Sequence, residues 1–294
     1  MVEFGIKTVP AQIGYDELAA VWHEADAVEV IRDAWLWDHL LPLMGPKGGP
    51  IFEGWTLLAA LAAQTGRLRM GLLVTSNRLR PPAMLAKIAA TVDAISHGRL
   101  VVGLGVGGTH QDGENPALAE YAAYGFDLVP PAEGIARLDE TCRILRRLWT
   151  EEVVDFDGKY YRLRENYCSP KPVQHPGPPL LLGGWGDRTL RVVAEHADIW
   201  NIPGPPHNDT ALIAERGTVL DEHCRAIGRD PREITWSVQT HAFPDDVERT
   251  RRTVLELADI GVGHVVLNLL KPFRPGLATW AAEEIIQPIQ AKLA

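Results

Sequence analysis

The sequence is poor in cysteine, with three in 294 residues. Cys142, Cys168 and Cys224 are an odd, widely spaced set. They make neither a disulfide framework nor the paired spacing of a zinc site, so reduced thiols in a cytoplasmic protein are expected. Basic residues are outnumbered: 29 Lys and Arg face 38 Asp and Glu, a net charge of −9. That charge repels phosphates and excludes nucleic acid as the expected partner. The basic groups at Arg143, Arg146 and Arg147 and at Arg249, Arg251 and Arg252 fit solvated helix faces. No apolar run is long enough to span a bilayer, and the first residues lead straight into a strand, so no membrane partner and no signal peptide are expected. There is no Gly-Xaa-Ser-Xaa-Gly elbow for a serine nucleophile and no Gly-Lys-Ser/Thr of a P-loop. No His, Cys, Asp and Glu share metal-ligand spacing, and no metal is expected.

What the sequence does contain is a regular alternation. The stretch Pro81–Gly108 shows its unit. A helix opens after a double proline, with Met84, Leu85, Ile88, Val92 and Ile95 at helical spacing, and stops at Ser96–Arg99. A buried strand follows, Leu100–Leu104, and breaks into Gly105, Gly107 and Gly108. Seven more strands read as Val2–Val9, Ala34–Trp37, Leu68–Thr75, Pro179–Leu182, Asp198–Asn201, Ile234–Thr240 and His264–Leu269. Helices fall between them, and eight strand–helix pairs without a composition break predict one α/β domain over 1–294, a (β/α)8 TIM barrel. Two segments exceed ordinary connections, Gly105–Pro131 and Thr150–Pro178, and both read as insertions after strand four. The second contains a hairpin expected to turn at Asp157-Gly158. Both insertions are expected to start on the carboxyl face, where barrel enzymes keep their sites.

The carboxyl ends of the strands supply the candidates. Strand two ends in Trp37-Asp38-His39. Histidine exchanges a proton near neutral pH, so His39 is the candidate acid or base, although a His after Asp also serves as a structural hydrogen-bonding residue. Asp38 can equally cap or brace the loop. Strand five ends in Gly183-Gly184-Trp185-Gly186 before a helix; free amides at a helix start attract phosphate, and the same glycines also suit a tight turn. His110, Asp112 and Glu114 lie in the long loop and read as further acids and bases or as solvated loop residues. His196, His223 and His264 fall within regular elements and read as structural.

Taken in order, Phe4-Gly5-Ile6, Trp37-Asp38-His39, Glu53-Gly54-Trp55-Thr56, the run Ala86–Arg99, Pro170-Lys171-Pro172-Val173-Gln174, Leu182–Gly186 and Ala194–Asn201 carry a resemblance. The chain resembles the bacterial luciferase-like flavin and deazaflavin oxidoreductase superfamily over nearly its whole length. Within it, Asp38-His39 and the Pro-Lys-Pro-Val-Gln segment look most like the coenzyme F420-dependent branch.

The resemblance implies a barrel with the cofactor ring across its carboxyl face. His39 matches a catalytic histidine beside the hydride-transfer carbon. Leu73 and Val74 match a pair joined by a non-proline cis peptide whose bulge backs the ring. Gly107 and Gly108 match the loop beside the ring, Gly183, Gly184, Trp185 and Gly186 the phosphate loop, and Trp200 and Asn201 the strand-six contacts. With Asp38, Thr75, Gly105 and Val106 these make the expected cofactor-binding set, and Trp37, Trp185 and Trp200 are expected to shield it from water. Gly108 stands where sugar-phosphate oxidising relatives carry an acid, which argues against a sugar phosphate.

The implied activity is hydride transfer between F420 and a small organic substrate: an alcohol or ketone, an imine or an activated alkene. The alternatives are a two-component monooxygenase using reduced FMN, oxygen and a flavin reductase partner, and a non-catalytic flavin-binding relative. The resemblance also implies a homodimer, with Trp55–Ala63 and Met84–Ile95 as candidate contact faces.

Overall fold

The computed structural model describes residues 2–108, 118–204 and 209–294. Its barrel strands are β1 (Glu3–Lys7), β2 (Asp33–Leu36), β3 (Arg69–Leu72), β4 (Thr75–Ser76) and β5 (Val102–Gly105), then β8 (Leu180–Gly183), β9 (Ile199–Ile202), β10 (Thr235–His241) and β11 (His264–Asn268). A separate hairpin holds β6 (Val154–Asp157) and β7 (Arg162–Asn166). The nine barrel strands run in the order β3-β2-β1-β11-β10-β9-β8-β5-β4, and every pairing is parallel. β3 and β4 are the two halves of the expected third strand, parted at a cis peptide between Leu73 and Val74. A bridge between Met70 and Leu100 closes the circle, so nine strands fill eight barrel positions.

Helices pack outside. They are α1 (Tyr15–Ala27), α2 (Gly54–Gln64), α3 (Pro82–Ile95), α4 (Ala119–Ala123), α5 (Pro131–Thr150), α6 (Asp187–His196), α7 (Thr210–Ala226), α8 (Val247–Asp259), α9 (Leu277–Ala281) and α10 (Gln287–Leu293). The double prolines before α3 and α5 place their second ring at the first helical position, where a missing N–H costs nothing. Glu53 caps α2 by accepting from the amides of Trp55 and Thr56. A π turn at Ala282–Ile286 separates α9 from α10. Among the described residues no helix is long and apolar enough to cross a membrane.

Side chains alternate across each strand. One set, including Phe4, Leu36, Leu104, Leu182 and Trp200, meets the helices in the main core. The three cysteines are buried and unpaired. The other set fills the barrel, and its two halves differ. Trp35, Leu73, Val101, Leu181 and Val266 make a small apolar cluster. Lys7, Asp33, Asn201, Ser237, Gln239 and His264 are buried polar residues linked to one another by hydrogen bonds.

Two expectations need correction. The hairpin turns later than Asp157-Gly158: residues 158–161 form the turn, and β7 follows it. The cause lies in α5, where the buried Glu140 carboxylate collects the amides of Lys159, Tyr160 and Tyr161 at 2.7–3.0 Å. The second insertion also starts on the other face, because it leaves the end of a helix rather than of a strand. Its Gln174 donates to Leu100 O, just before β5 begins, and Val173 and Gln174 donate backbone amides to Asp93 of α3. Of the faces expected to meet a second copy, Trp55, Leu57, Leu58 and Leu61 are buried in the chain itself, while Met84 and Ile95 stay exposed.

Candidate active site

A cleft of about 490 Å³ opens at the carboxyl ends of β2, β4, β5, β8, β9 and β10. Asp38, His39, Leu73, Val74, Gly105, Val106, Gly107, Gly108, Gly183, Gly184, Trp185 and Asn201 all line it, so the structure gathers most of the sequence candidates into one site. Thr75, Gly186 and Trp200 are not in its wall. Thr75 is buried, and its hydroxyl accepts from Trp55 Nε1 at 3.1 Å. Gly186 caps α6 without a side-chain bond to the first-turn amides. Trp200 points outward and meets Trp236 edge to face, with 5.4 Å between ring centroids. Its indole N–H reaches the Gly184 carbonyl at 2.7 Å, so it steadies the glycine loop from behind rather than shielding the cleft. His110, Asp112 and Glu114 lie outside the described residues.

His39 is held by a residue that no sequence pattern singled out. Its Nδ1 lies 2.9 Å from Glu120 Oε1 on α4, and Glu120 Oε2 accepts the Leu40 amide at 2.7 Å. Glu120 is 2 % exposed, whereas the His39 side chain keeps 27 % of its surface open. A buried carboxylate on one ring nitrogen fixes the ring plane and the tautomer and leaves Nε2 for a ligand. The Trp37 ring meets the imidazole edge to face. No local sequence signal marks Glu120, because it is 81 residues away from its partner.

Asp38 braces the site. Arg80 clamps both of its oxygens at 2.7 and 2.8 Å and also contacts Glu53. Burial pushes the Asp38 carboxyl above its ordinary value, against the pull of Arg80. Burial opposes ionisation of Glu53 too, but bonds from Thr56 and the Arg80 charge outweigh it and hold that carboxyl low.

The glycine loop is stitched by Tyr121 of α4. The Gly108 amide donates to its hydroxyl at 2.7 Å, and that hydroxyl lies 2.7 Å from Ser76 Oγ. Burial raises the Tyr121 pKa, which keeps the phenol protonated. Gly107 has φ +84°, and a Cβ there would lie 2.7 Å from Ser76 Oγ and 2.9 Å from the Tyr121 oxygen. One wall is therefore bare backbone. Leu73 and Val74 give the cleft an apolar wall, and the floor holds Asn201 and Gln239, joined at 2.9 Å. A flat ring with a polar edge fits these surfaces: an apolar back, backbone where side chains would collide, and an amide floor.

Outside the cleft, His196, His223 and His264 pair with Asp139, Asp187 and Asp33. Among the described residues Asp139, Glu195 and His196 bring ligand atoms within 4.8 Å of one another, closer than the spacing suggested. Arg143 sits 3.0 Å from Asp139 and already supplies a cation there.

The comparisons agree with this architecture. A family model described as luciferase-like monooxygenase matches residues 8–275. A Mycobacterium tuberculosis protein described as a phthiodiolone/phenolphthiodiolone dimycocerosates ketoreductase is 31 % identical over 258 residues, 84 % of this chain and 60 % of that protein. The chain thus spans about three fifths of the length of this curated relative. An F420-dependent secondary alcohol dehydrogenase, solved with an F420–acetone adduct, matches with TM-score 0.80 and 17 % identity over 98 % of each chain. A monooxygenase of Streptomyces bottropensis matches with TM-score 0.74 and 20 % identity over 97 % of this chain and 99 % of its own. At those identities the two structures establish the barrel alone. The family model and the mycobacterial relative go further: this chain belongs to the luciferase-like monooxygenase family of oxidoreductases.

Proposed function

We propose that the protein is an F420-dependent oxidoreductase that moves a hydride to or from a small organic substrate, an alcohol–ketone pair before an imine or an activated alkene. The observation that carries this reading is the His39–Glu120 pair at the edge of a glycine-walled cleft. Bound deazaflavin would supply a two-electron hydride donor or acceptor. His39 handles the proton. With Nδ1–H directed to Glu120, its Nε2 takes the hydroxyl proton as an alcohol is oxidised. In reduction the imidazolium returns that proton to the carbonyl oxygen while carbon receives the hydride. Leu73, Val74 and the glycines position the ring, and the uncapped amides of α6 suit a phosphate. The ketoreductase description of the mycobacterial relative supports the direction of this reading.

Titration with F420 and with FMN tests it. F420 should bind at least about tenfold more tightly than FMN, a difference of roughly 1.4 kcal/mol, and ketone reduction should follow. The reverse preference, with oxygen consumption in the presence of a flavin reductase, identifies a two-component monooxygenase instead. Saturable binding without turnover identifies a binding protein. The same reading makes the protein a homodimer, and light scattering at micromolar concentration checks that.

A further inference from the structure

A chain of hydrogen bonds runs inside the barrel from the cleft towards its amino end. Lys7 Nζ donates to Gln239 Oε1. Gln239 Nε2 donates to Asn201 Oδ1 at 2.9 Å, and Asn201 Nδ2 to Ser237 Oγ at 2.8 Å. Ser237 Oγ lies 2.8 Å from His264 Nδ1, and His264 Nε2 lies 3.1 Å from both oxygens of Asp33. Trp35 Nε1 also donates to Asp33 Oδ1. All six members of the chain are buried. Gly5 is what admits the last of them, since a Cβ there would stand 1.8 Å from Asp33 Oδ1. Beyond Asp33 and His264 lies a second cavity of about 200 Å³.

The two ends of the chain are chemically opposite. An ammonium only donates and a carboxylate only accepts, so with a neutral imidazole at His264 every link between them points from Lys7 to Asp33. Gln239 and Asn201 each then keep one amide N–H, and both residues line the cleft.

We propose that Lys7 and Asp33 are positioning residues whose opposite charges lock the amides of Gln239 and Asn201, so that the cleft floor offers N–H donors and takes the acceptor oxygens of its ligand. This deepens the reading above by assigning the polar chemistry of the floor; the lock itself is a property of the ligand-free protein.

The lock has a definite failure mode. In Asp33→Asn the Trp35 N–H holds the new amide oxygen, which leaves its N–H₂ to face His264. Imidazole can then take the other tautomer, Ser237 can donate to Asn201, and both floor amides can turn over. The reversed chain ends with Gln239 donating to Lys7, which an ammonium refuses and a neutral amine accepts. Burial lowers the Lys7 pKa to about 7, so the refusal lapses near neutrality. Titratable groups on the neighbouring strands are Asp33 on β2, His241 on β10 and His264 on β11. Burial opposes ionisation of Asp33, but His264, Trp35 and Arg69 outweigh it and keep the carboxyl low, so in the parent the lock survives deprotonation of Lys7. Burial, then Lys7 and Arg249, lower the His241 pKa.

The test follows Asn201 by NMR in the ligand-free protein and F420 affinity alongside it. In the parent the Asn201 amide protons should lie beside Ser237 on both sides of neutral pH. In Asp33→Asn they should do so only below the Lys7 ionisation, and F420 affinity should fall about tenfold above it, the size of one hydrogen bond replaced by an unpaired group. Lys7→Met with Asp33→Asn should show the reversed floor at every pH. Ser237→Ala, which cuts the chain in the middle, should repeat the pH dependence of Asp33→Asn and serves if that variant fails to fold. An Asn201 amide that stays put in Asp33→Asn and Ser237→Ala across this range overturns the proposal. So does a pH dependence that vanishes when His241→Gln is added. Failure of the parent to bind F420 or FMN would sink the functional reading, while the NMR result would still decide whether the lock exists.

Discussion

The two insertions of this barrel use one device for different ends. In residues 151–179 the backbone is pinned by buried carboxylates from helices. Glu140 of α5 takes three amides of the hairpin turn, and Asp93 of α3 takes the Val173 and Gln174 amides and the Gln174 side chain. In residues 106–130 a carboxylate again takes a backbone amide, that of Leu40, but its other oxygen meets an imidazole. The difference comes from where each segment leaves the barrel. A segment that follows a strand starts at the carboxyl face and reaches the cleft. One that follows a helix starts at the opposite face and becomes a strap, and none of its residues lines the cleft. Function therefore separates from stability along the chain, and substitutions in the two segments should separate activity from folding.

His39→Ala is the largest expected break. A general acid or base contributes roughly 100- to 10,000-fold in rate, so turnover should fall by about that range while F420 affinity stays within about tenfold. Steady-state kinetics and a binding titration read the two quantities separately. Turnover within about threefold of the parent would mean that the imidazole only lines the wall. Collapsed affinity would make it a ligand contact.

Glu140→Ala should do the opposite. It leaves three part-buried amides of the turn without their acceptor, and each unsatisfied group costs about 1–3 kcal/mol before water and relaxation recover part of it. A loss of about 2–4 kcal/mol in denaturant unfolding is expected, with turnover per folded molecule unchanged. A matching drop in turnover would show that the strap and the cleft are coupled.

The contrast between the insertions also shows what a sequence can reveal. Periodicity and glycine placement depend on neighbours in the chain, so the alternation, the helix start at the double proline Pro81-Pro82 and the break after β5 were legible. Most of the cleft wall followed from the carboxyl ends of strands. Glu120, Tyr121, Arg80 and Gln239 were not legible, because each acts across a distance in sequence that no local pattern reports. Trp200 failed for another reason. Strand parity turns it outward while Asn201 faces in, and a two-residue motif hides that difference.

Glu120→Gln should have a smaller effect than either deletion. The amide keeps the shape and one acceptor, but it can no longer serve both the Leu40 N–H and the imidazole as a charged acceptor. Partners that orient a working histidine typically matter by about 10- to 100-fold, so kcat should fall in that range with little change in F420 affinity. The pH profile should move with it, since the neutral amide stabilises the imidazolium less. An unchanged profile with lowered kcat would make Glu120 a support for the loop alone.

Arg162→Ala should have the smallest effect, and the comparison depends on that. The side chain pairs with Asp157 across the hairpin at 3.2 Å, but the partners are 77 % and 67 % exposed. Water and salt screen such a pair, and holding two long side chains in place offsets much of what remains. A change below about 0.5 kcal/mol in unfolding free energy is expected, with no effect on kcat or on F420 affinity. The same hairpin loses far more when Glu140 is removed, because that carboxylate is buried and takes three backbone donors at once. If Arg162→Ala proved as costly as Glu140→Ala, exposure would not be what ranks these contacts. If it lowered turnover, the hairpin would act on the cleft from the far side of the barrel, and the division between strap and site would fail.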